Sequence, residues 1–418
     1  MSNKRNLPKP LNLLGKDINT DMGSGVRIAD LKKLFDYIPS KEILDRLFKK
    51  ELESDEFINI PGAQTLVTET IKFEKKLKKF DLTKGLNEVE CLEIGGQNSL
   101  TLKFKDITED KPELNTHSIK AETIHSAKSE FLEENFKIKK FSDFLYSQEL
   151  AQIALENISK LTSVFAERKS DKRKYRLIEF EGNYFLRGIT SETYEDYNIP
   201  FSICLCLLTI HRSYKNGSRN FKVKSIFIDD SNIEVLFESD QKVRLGNLGS
   251  LKHSIILSND EIRRQAVGIL GISSIEFTSN DGENRQVFFQ PKKRLESAIF
   301  KIDHRSTKDD TILSGVQNFT ELVVASEKNF IKVFKHLENA TDPTLLKFRI
   351  QEAIKNSRED SIKPYKEDFK TMLKSEVNNM ISLLEIMNRL SLIAQNDLDA
   401  KQYIRYLFYK EIIKRPTK

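Results

Sequence analysis

The stretch NIPFSICLCLLTIHRSYKNG, residues 198–217, is the most apolar part of this chain and places the strongest limit on its fold. Its uninterrupted apolar run is about half of the ~20 residues that a membrane-spanning helix needs. Asn198 is a favourable helix cap, Pro200 suits a first helical turn, and Asn216–Gly217 suits a helix end. The pattern predicts a helix over 200–215 that is buried in the core, so other elements must surround it.

The same stretch holds two of the three cysteines and a histidine, which raises the question of a metal site. In a helix, Cys204 and His211 share a face but lie roughly 10 Å apart along the axis. In a strand, Cys204 and Cys206 share a face and His211 points to the other one. Zinc needs three or four protein ligands, and the remaining Cys91 is far away in the sequence. We therefore predict no metal site, and cysteines that act as small apolar core residues.

Motifs for nucleotide-driven or metal-dependent chemistry are absent from the sequence. It contains no phosphate-binding glycine loop, no Gly-x-Gly-x-x-Gly, no nucleophile elbow and no His-Glu-x-x-His. The six histidines are scattered without ligand spacing. We expect no cofactor and assign no catalytic residue on this basis. The three cysteines lack framework spacing and the N-terminus is polar and basic, which favours the cytoplasm and no membrane association.

The length of 418 residues favours two or three domains, and the alternation of patterns along the chain predicts an α+β protein. We expect an N-terminal helical and hairpin region, a central antiparallel sheet with covering helices, and a C-terminal helical bundle. The predicted divisions are a flexible arm over 1–25, a mixed helix and hairpin region over 26–140, a central α+β domain over 141–305, and a C-terminal helical domain over 306–418.

Several local patterns refine this plan. Helical spacing in RIADLKKLFDYI and KEILDRLFKKEL predicts a helix pair, which fits a winged helix-turn-helix or an ordinary helical hairpin. Alternation around Gly95–Gly96 predicts a hairpin over 87–104. The polar stretch 105–128 suggests an exposed loop, and an amphipathic pattern predicts one long helix over 143–168.

Local clusters of basic residues suggest contact with phosphates, although 68 basic and 62 acidic residues give a net charge of only +6. The runs RKSDKRK at 168–174 and IKFEKKLKK at 71–79 each have five basic residues and one acidic residue. The alternative is that such runs are solvated surface. Phe288 and Phe289 precede a further basic run, and base stacking on aromatics favours single strands. The candidate nucleic-acid-binding residues are Arg168, Lys169, Lys172, Arg173, Lys174, Arg187, Arg263, Arg264, Lys292, Lys293 and Arg294.

A different class of function is suggested by carboxylates in IFIDDSNIEVLFESDQK. A magnesium-dependent nuclease needs carboxylates to hold the metal and a lysine to steady the attacking water or the developing charge. Asp230, Asp240 and Lys242 are the candidates for this alternative. The competing interpretation is that the acidic residues only form turns between strands.

Three segments between Tyr184 and Ile275 resemble a family of uncharacterised phage- and plasmid-encoded proteins. They are YFLRGITSETYEDYNI, with Arg187–Gly188 and Tyr194, then FIDDSNIEVLF, then SIILSNDEI. Asp260 replaces a serine of the family pattern, and a later Cys-x-Asn-Gly is absent. The resemblance covers under a quarter of the chain. It implies a mobile-element or anti-phage setting in a prokaryotic cytoplasm and brings no established activity.

The C-terminal helical segments have apolar residues on more than one side, which favours either self-association, docking to a partner protein, or an ordinary intramolecular bundle. Taken together, the sequence suggests a non-catalytic nucleic-acid-binding or assembly protein with DNA or RNA as a possible partner. The alternative is the magnesium-dependent nuclease.

Overall fold

The computed structural model describes residues 14–16, 24–54, 56–95, 99–168, 171–217, 219–262, 265–291, 298–304, 309–335, 337 and 342–413. It is an α+β protein, as the sequence predicts. The helices are α1 (Ile28–Leu31), α2 (Lys41–Leu47), α3 (Lys49–Glu53), α4 (Ala63–Lys76), α5 (Ile107–Asp110), α6 (Ala127–Phe136), α7 (Lys139–Ser147), α8 (Ala151–Arg168), α9 (Ile199–Lys215), α10 (Asp309–Gln317), α11 (Phe319–Phe334), α12 (Pro343–Asn356), α13 (Lys366–Met372), α14 (Met380–Ile393) and α15 (Leu398–Ile413). Short 3₁₀ helices lie at Lys32–Tyr37, Leu86–Glu88, Pro112–Leu114 and Lys363–Tyr365.

The strands form two main sheets and one short pair. They are β1 (Leu14–Lys16), β2 (Val26–Arg27), β3 (Phe57–Ile58), β4 (Lys78–Lys84), β5 (Val89–Gly95), β6 (Ser99–Lys105), β7 (Ser118–Thr123), β8 (Arg173–Phe180), β9 (Asn183–Thr190), β10 (Phe221–Ile228), β11 (Asn232–Ser239), β12 (Lys242–Leu245), β13 (Gly249–Asp260), β14 (Gln265–Thr278), β15 (Asn284–Phe289) and β16 (Ala298–Ile302).

The eight-stranded sheet has the order β1-β10-β11-β13-β14-β15, with β12 beside β13 and β16 beside β14, and all its pairs are antiparallel. The six-stranded sheet has the order β4-β8-β9-β7-β6-β5. Its pairs are antiparallel except for β7 and β9, which run parallel. Among the described strands, the two edges of this second sheet are therefore β4, beside β8, and β5, beside β6.

Helix α9 confirms the prediction drawn from the apolar stretch. It covers Ile199–Lys215, and 14 of its 17 residues are buried. The Asn198 side chain caps it by accepting a hydrogen bond from the Phe201 N–H at 3.0 Å. Cys204 and Cys206 are buried free thiols, so they serve as core residues. The core around α9 is formed by one half of the eight-stranded sheet together with α1 to α4, α10 and α11.

Two further large cores lie in the described part of the chain. The other half of the eight-stranded sheet is covered by the end of α11 and by α12 to α15, so the C-terminal helices pack on the sheet within the same chain. The six-stranded sheet packs one face against α6, α7 and α8. The opposite face of β8 meets the α9 core through Ile178, which brings the two sheets together.

Several local predictions are wrong. The expected long helix over 143–168 is two helices, α7 and α8, separated at Glu149, whose φ of 63° interrupts the helix. The expected loop over 105–128 contains α5 and β7, because Ile119 and Ala121 supply buried positions on the sheet. Of the two alternatives for the helix pair, the winged one required strands where the structure has the long helix α4, which follows Gly62 in a left-handed conformation with φ 86°.

The strand pairing also bears on the divisions predicted along the chain. The six-stranded sheet takes strands from both sides of residue 140, because β4 to β7 precede that position and β8 and β9 follow it. Within the arm expected over 1–25, residues Leu14–Lys16 form β1 and pair with β10. The rest of the arm up to residue 23 lies outside the described residues.

Candidate functional site

Described residues of the two basic runs, which are distant in sequence, lie at opposite ends of the edge strand β4. The pairing of β4 with β8 places Lys78 opposite Glu179 and Lys84 opposite Arg173. The six residue-to-residue steps of extended chain from Lys78 to Lys84 span roughly 20 Å. We call the surface along β4, from the end of α4 to the start of β8, the basic edge.

At the first end of the basic edge, four lysines are exposed where α4 leads into β4: Lys72, Lys75, Lys76 and Lys78. Lys78 is 70% exposed and pairs with Glu179 at 2.9 Å, and Lys72 pairs with Glu69 at 2.7 Å. Neither Lys75 nor Lys76 forms an ion pair with a carboxylate among the described residues. Lys76 lies over the Phe180 ring, 5.2 Å from its centroid. The ammonium groups of Lys75 and Lys76 therefore remain accessible to an anionic partner.

At the second end, Lys172 is exposed and Arg173 is partly exposed. Neither forms an ion pair within the part of the chain that the structure describes. Lys174 is partly buried and donates from Nζ to the Tyr194 carbonyl at 3.0 Å. Lys84 is buried and pairs with Glu88 at 2.8 Å and Asp110 at 3.0 Å, so its charge is already balanced. Lys172 and Arg173 are therefore the accessible cations at this end.

Beside the first end lies a cleft of about 640 Å³. It is bounded by the 3₁₀ helix Lys32–Tyr37, the end of α4 and the start of β4, and its lining includes the aromatic residues Tyr37 and Phe80. The lining carries six basic and five acidic side chains: Lys75, Lys78, Lys79, Lys111, Arg176 and Arg187, with Asp36, Glu74, Asp81, Asp196 and Glu261.

The floor of the cleft is a buried ionic network centred on Glu261, in the turn between β13 and β14. Its carboxylate pairs with the Arg187 guanidinium and with Lys79 Nζ at 3.2 Å, and accepts from the Ile199 N–H at 2.7 Å. Its backbone carbonyl accepts from Arg176 and, at 3.0 Å, from the Tyr194 hydroxyl. One residue in a turn of the eight-stranded sheet thus contacts β4, β8 and β9 of the other sheet.

The other acids of the floor are also paired. Lys79 Nζ lies 2.7 Å from Glu74, and Arg176 lies 3.2 Å from Asp81 and 2.6 Å from Asp196. Burial alone would raise the pKa of Glu261, but the charges of Lys79, Arg187 and Arg176 outweigh it and hold that pKa well below its usual range. For Glu74, burial prevails over Lys79 and raises the pKa.

Next to this network, His125 joins the two sheets a second time. His125, with a φ of 52°, lies 2.7 Å from the Asp230 carboxylate through Nε2. Asp230 also accepts from the Ser231 hydroxyl at 2.8 Å. Burial opposes ionisation of Asp230, but His125 holds its pKa below the usual range. Burial and then the Asp230 charge raise the pKa of Asp229 to about 6.

Arg187 was expected to contact nucleic acid, and the structure corrects this. Its side chain is 1% exposed and pairs with Glu261. Its guanidinium also donates to the Asp230 carbonyl at 3.0 Å, so phosphates lying on the outer surface do not reach it. Six other candidates lie outside the described residues: Lys169, Arg263, Arg264, Lys292, Lys293 and Arg294. Arg168, at the end of α8, is described only in its backbone.

The nuclease candidates do not come together. Asp230 lies in the turn before β11 and Asp240 lies just after it, so the length of this strand, roughly 25 Å, separates them. Asp240 accepts from the Asn220 amide at 3.1 Å, and Lys242 pairs with Glu276 at 2.8 Å. These three residues cannot share a magnesium ion. In the described part of the chain, no group of three or more His, Cys, Asp or Glu side chains is placed to hold a metal.

Sequence reasoning missed Lys79, Glu261 and Phe80 as parts of one site. Lys79 and Glu261 are 182 residues apart, so no local pattern joins them. The segments that carry the family resemblance gave a partial signal, since Arg187, Tyr194, Asp230 and Glu261 come from those segments and contact one another.

Comparisons with known proteins add no relative. No protein-family model, no curated protein and no solved structure matches the chain. Within the described residues, no helix combines the length and the apolar character that crossing a membrane requires.

Proposed function

We propose that this chain is a non-catalytic nucleic-acid-binding protein that works in the cytoplasm of a prokaryotic cell, within a mobile-element or anti-phage system. The observation that carries the proposal is the basic edge. Residues from two basic runs border one strand at ends roughly 20 Å apart. Lys75, Lys76, Lys172 and Arg173 have no carboxylate partner among the described residues, so they are available to phosphates.

The setting rests on a different observation. The three segments that resemble phage- and plasmid-encoded proteins all contribute to the network around Glu261, directly beneath the cleft. A likeness concentrated at one site supports a shared role for that site. The resemblance supplies the mobile-element or anti-phage setting, and the basic edge supplies the nucleic-acid partner.

Binding to the basic edge should depend steeply on salt, because each phosphate that a cation neutralises releases counterions. We expect fluorescence anisotropy with labelled single- and double-stranded DNA and RNA to show binding at low salt. The double variant Lys75→Glu and Lys172→Glu should weaken binding. It should also lower the slope of log affinity against log salt by about one for each phosphate that is no longer neutralised.

The matched control is Lys374→Glu, which reverses an exposed lysine beyond α13, far along the chain from the basic edge. This control should bind like the wild type. Absence of binding to every nucleic acid at low salt would end the proposal. An equal loss of affinity in the control variant would show that only net charge matters and that the basic edge is not the site.

A further inference from the structure

The accessible cations of the basic edge form two separate clusters. The first cluster is Lys75 and Lys76, at the end of α4, and the second is Lys172 and Arg173, where β8 begins. None of the four has a carboxylate partner among the described residues. The two ends of β4 that the clusters border lie roughly 20 Å apart. Phosphates can therefore bind at two places along the edge.

Between the two clusters, the described lysines are already paired with carboxylates. They are Lys79 with Glu74 and Glu261, Lys84 with Glu88 and Asp110, and Lys111, in the cleft lining beside β4, with Glu113 at 3.8 Å. Asp81, near the middle of β4, adds a further carboxylate and pairs with Arg176 at 3.2 Å. A phosphate backbone that followed β4 from end to end would therefore meet no surplus of cations over the middle of its path.

The middle of the basic edge also lacks a surface on which bases could stack. Phe80 is the one aromatic residue of β4, and its ring packs against Tyr184 in the core of the six-stranded sheet, with centroids 6.1 Å apart. Proteins that bind single strands without sequence preference combine a cationic groove that tracks the backbone with aromatic rings on which successive bases stack. Along β4, the described residues supply neither the continuous track nor the exposed rings.

A DNA duplex presents its phosphates in the arrangement that two separate clusters require. Its two backbones form the walls of each groove, and the major groove of B-form DNA is about 12 Å wide. Clusters roughly 20 Å apart can contact the backbones on the two sides of one groove, since each backbone adds its own thickness to the span. The carboxylates along the middle of β4 then face the open groove and no phosphate.

The fold also fixes the spacing of the clusters. Seven residues of β4 pair with β8 in one continuous register. Lys79 anchors β4 to Glu261, and Asp81 anchors it to Arg176. Two clusters at a fixed distance favour a rigid partner, because a flexible single strand loses conformational freedom when its phosphates are held at two points.

We infer that the basic edge binds double-stranded DNA, with one backbone at each cluster, through phosphates and without reading the base sequence. This inference rests on the proposed nucleic-acid function and names its substrate class. At about 3.4 Å per base pair, the 20 Å between the clusters corresponds to roughly six base pairs. Shorter duplexes should contact one cluster at a time.

The test is a length series of labelled DNA hairpins, measured by fluorescence anisotropy at low salt with the full chain. We expect affinity to rise about tenfold or more between stems of about 4 and 8 base pairs, because the second contact becomes intramolecular. From about 8 to 12 base pairs it should rise less than about threefold. An unstructured DNA single strand with as many phosphates as the longest hairpin should bind about tenfold or more weakly than that hairpin.

Three matched lysine variants locate the contacts. Lys76→Gln and Lys172→Gln each remove one cation from a cluster and should lower affinity for the longest hairpin about 3- to 10-fold. With the shortest hairpin each should cost at most about twofold, because the other cluster remains available. Lys111→Gln removes a lysine that lies between the clusters and is already paired with Glu113, so it should change either affinity less than about twofold.

The outcomes separate this inference from the proposal beneath it. Binding that shows no step with stem length, or that is as tight for the single strand, would overturn the inference and leave the proposed function in place. Binding confined to RNA would do the same. A loss from Lys111→Gln equal to that from Lys76→Gln would place phosphates over the middle of β4, which also contradicts the inference. Failure of every nucleic acid to bind at low salt would remove both.

Discussion

Glu261 is the residue through which the two sheets depend on each other most directly. Its carboxylate is fully buried and meets Lys79 and Arg187, while its carbonyl meets Arg176 and Tyr194. Replacement by glutamine keeps the shape and removes the charge, which leaves buried cations without compensation. We expect Glu261→Gln to lower the free energy of unfolding by about 3–5 kcal/mol, measured by urea denaturation.

Glu69→Gln is the control for this residue, because Glu69 pairs with the exposed Lys72 at 2.7 Å on the surface of α4. Ion pairs at the surface contribute little, so this change should cost less than about 1 kcal/mol. Similar decreases in stability for the two variants would contradict the central role of the buried network.

At the scale of elements, α9 shows how a single cap connects a helix to its surroundings. The side-chain oxygen of Asn198 accepts a hydrogen bond from the Phe201 N–H at 3.0 Å, and its side-chain NH₂ group donates one to the Tyr37 carbonyl at 2.6 Å. Asn198→Ala removes both bonds and should cost about 1–2 kcal/mol of stability by thermal or urea unfolding.

Asn198→Ser separates the two contributions. Serine can still accept from the Phe201 N–H but is too short to replace the bond to Tyr37. We expect the serine variant to recover part of the stability. A serine variant no more stable than the alanine variant would show that the bond to Tyr37, which fixes one wall of the cleft, is the dominant contribution.

The sequence predicts elements whose signal is local. The run around Cys204 and Cys206 predicts α9 to within a residue at its start, and alternation around Gly95 predicts the β5–β6 hairpin. Prediction from the sequence fails where a residue's structure depends on partners far away in the chain. One example is β7, which becomes a buried strand because it pairs with β9. Another is the pairing of β4 with β8, which is visible only in the folded chain. The candidate site is of this second kind, so sequence identifies its basic runs but not its cleft.

At the scale of the whole molecule, the C-terminal helices bury most of their apolar residues against the eight-stranded sheet. Some side chains stay outside: Phe348 on α12 is 57% exposed and Leu345, one turn away, is 43% exposed. Phe348 borders a groove of about 600 Å³ between α12 and α15 that Tyr406 and Leu407 also line. Self-association through these helices, one of the alternatives that the sequence leaves open, stays a prediction, and this surface is where a variant can test it.

Light scattering tests this association. We expect the full chain to show a mass above 48.4 kDa at high concentration, and Phe348→Asp to restore the monomer. Leu392→Asp alters a similarly exposed apolar residue on α14 and should not change the mass. A wild-type protein that stays at the monomer mass at every concentration would rule the association out.

The pairing of β4 with β8 determines when, during synthesis of the chain, the basic edge can form. Lys78 and Glu179, which face each other across the ladder, are separated by 101 residues. Contacts so distant along the chain form late, since a long loop must close before they are gained. A chain still emerging from the ribosome carries the first lysine cluster but lacks β8, and Glu261 follows later still. Assembly of the basic edge and its cleft is therefore tied to synthesis and folding of the chain through Glu261.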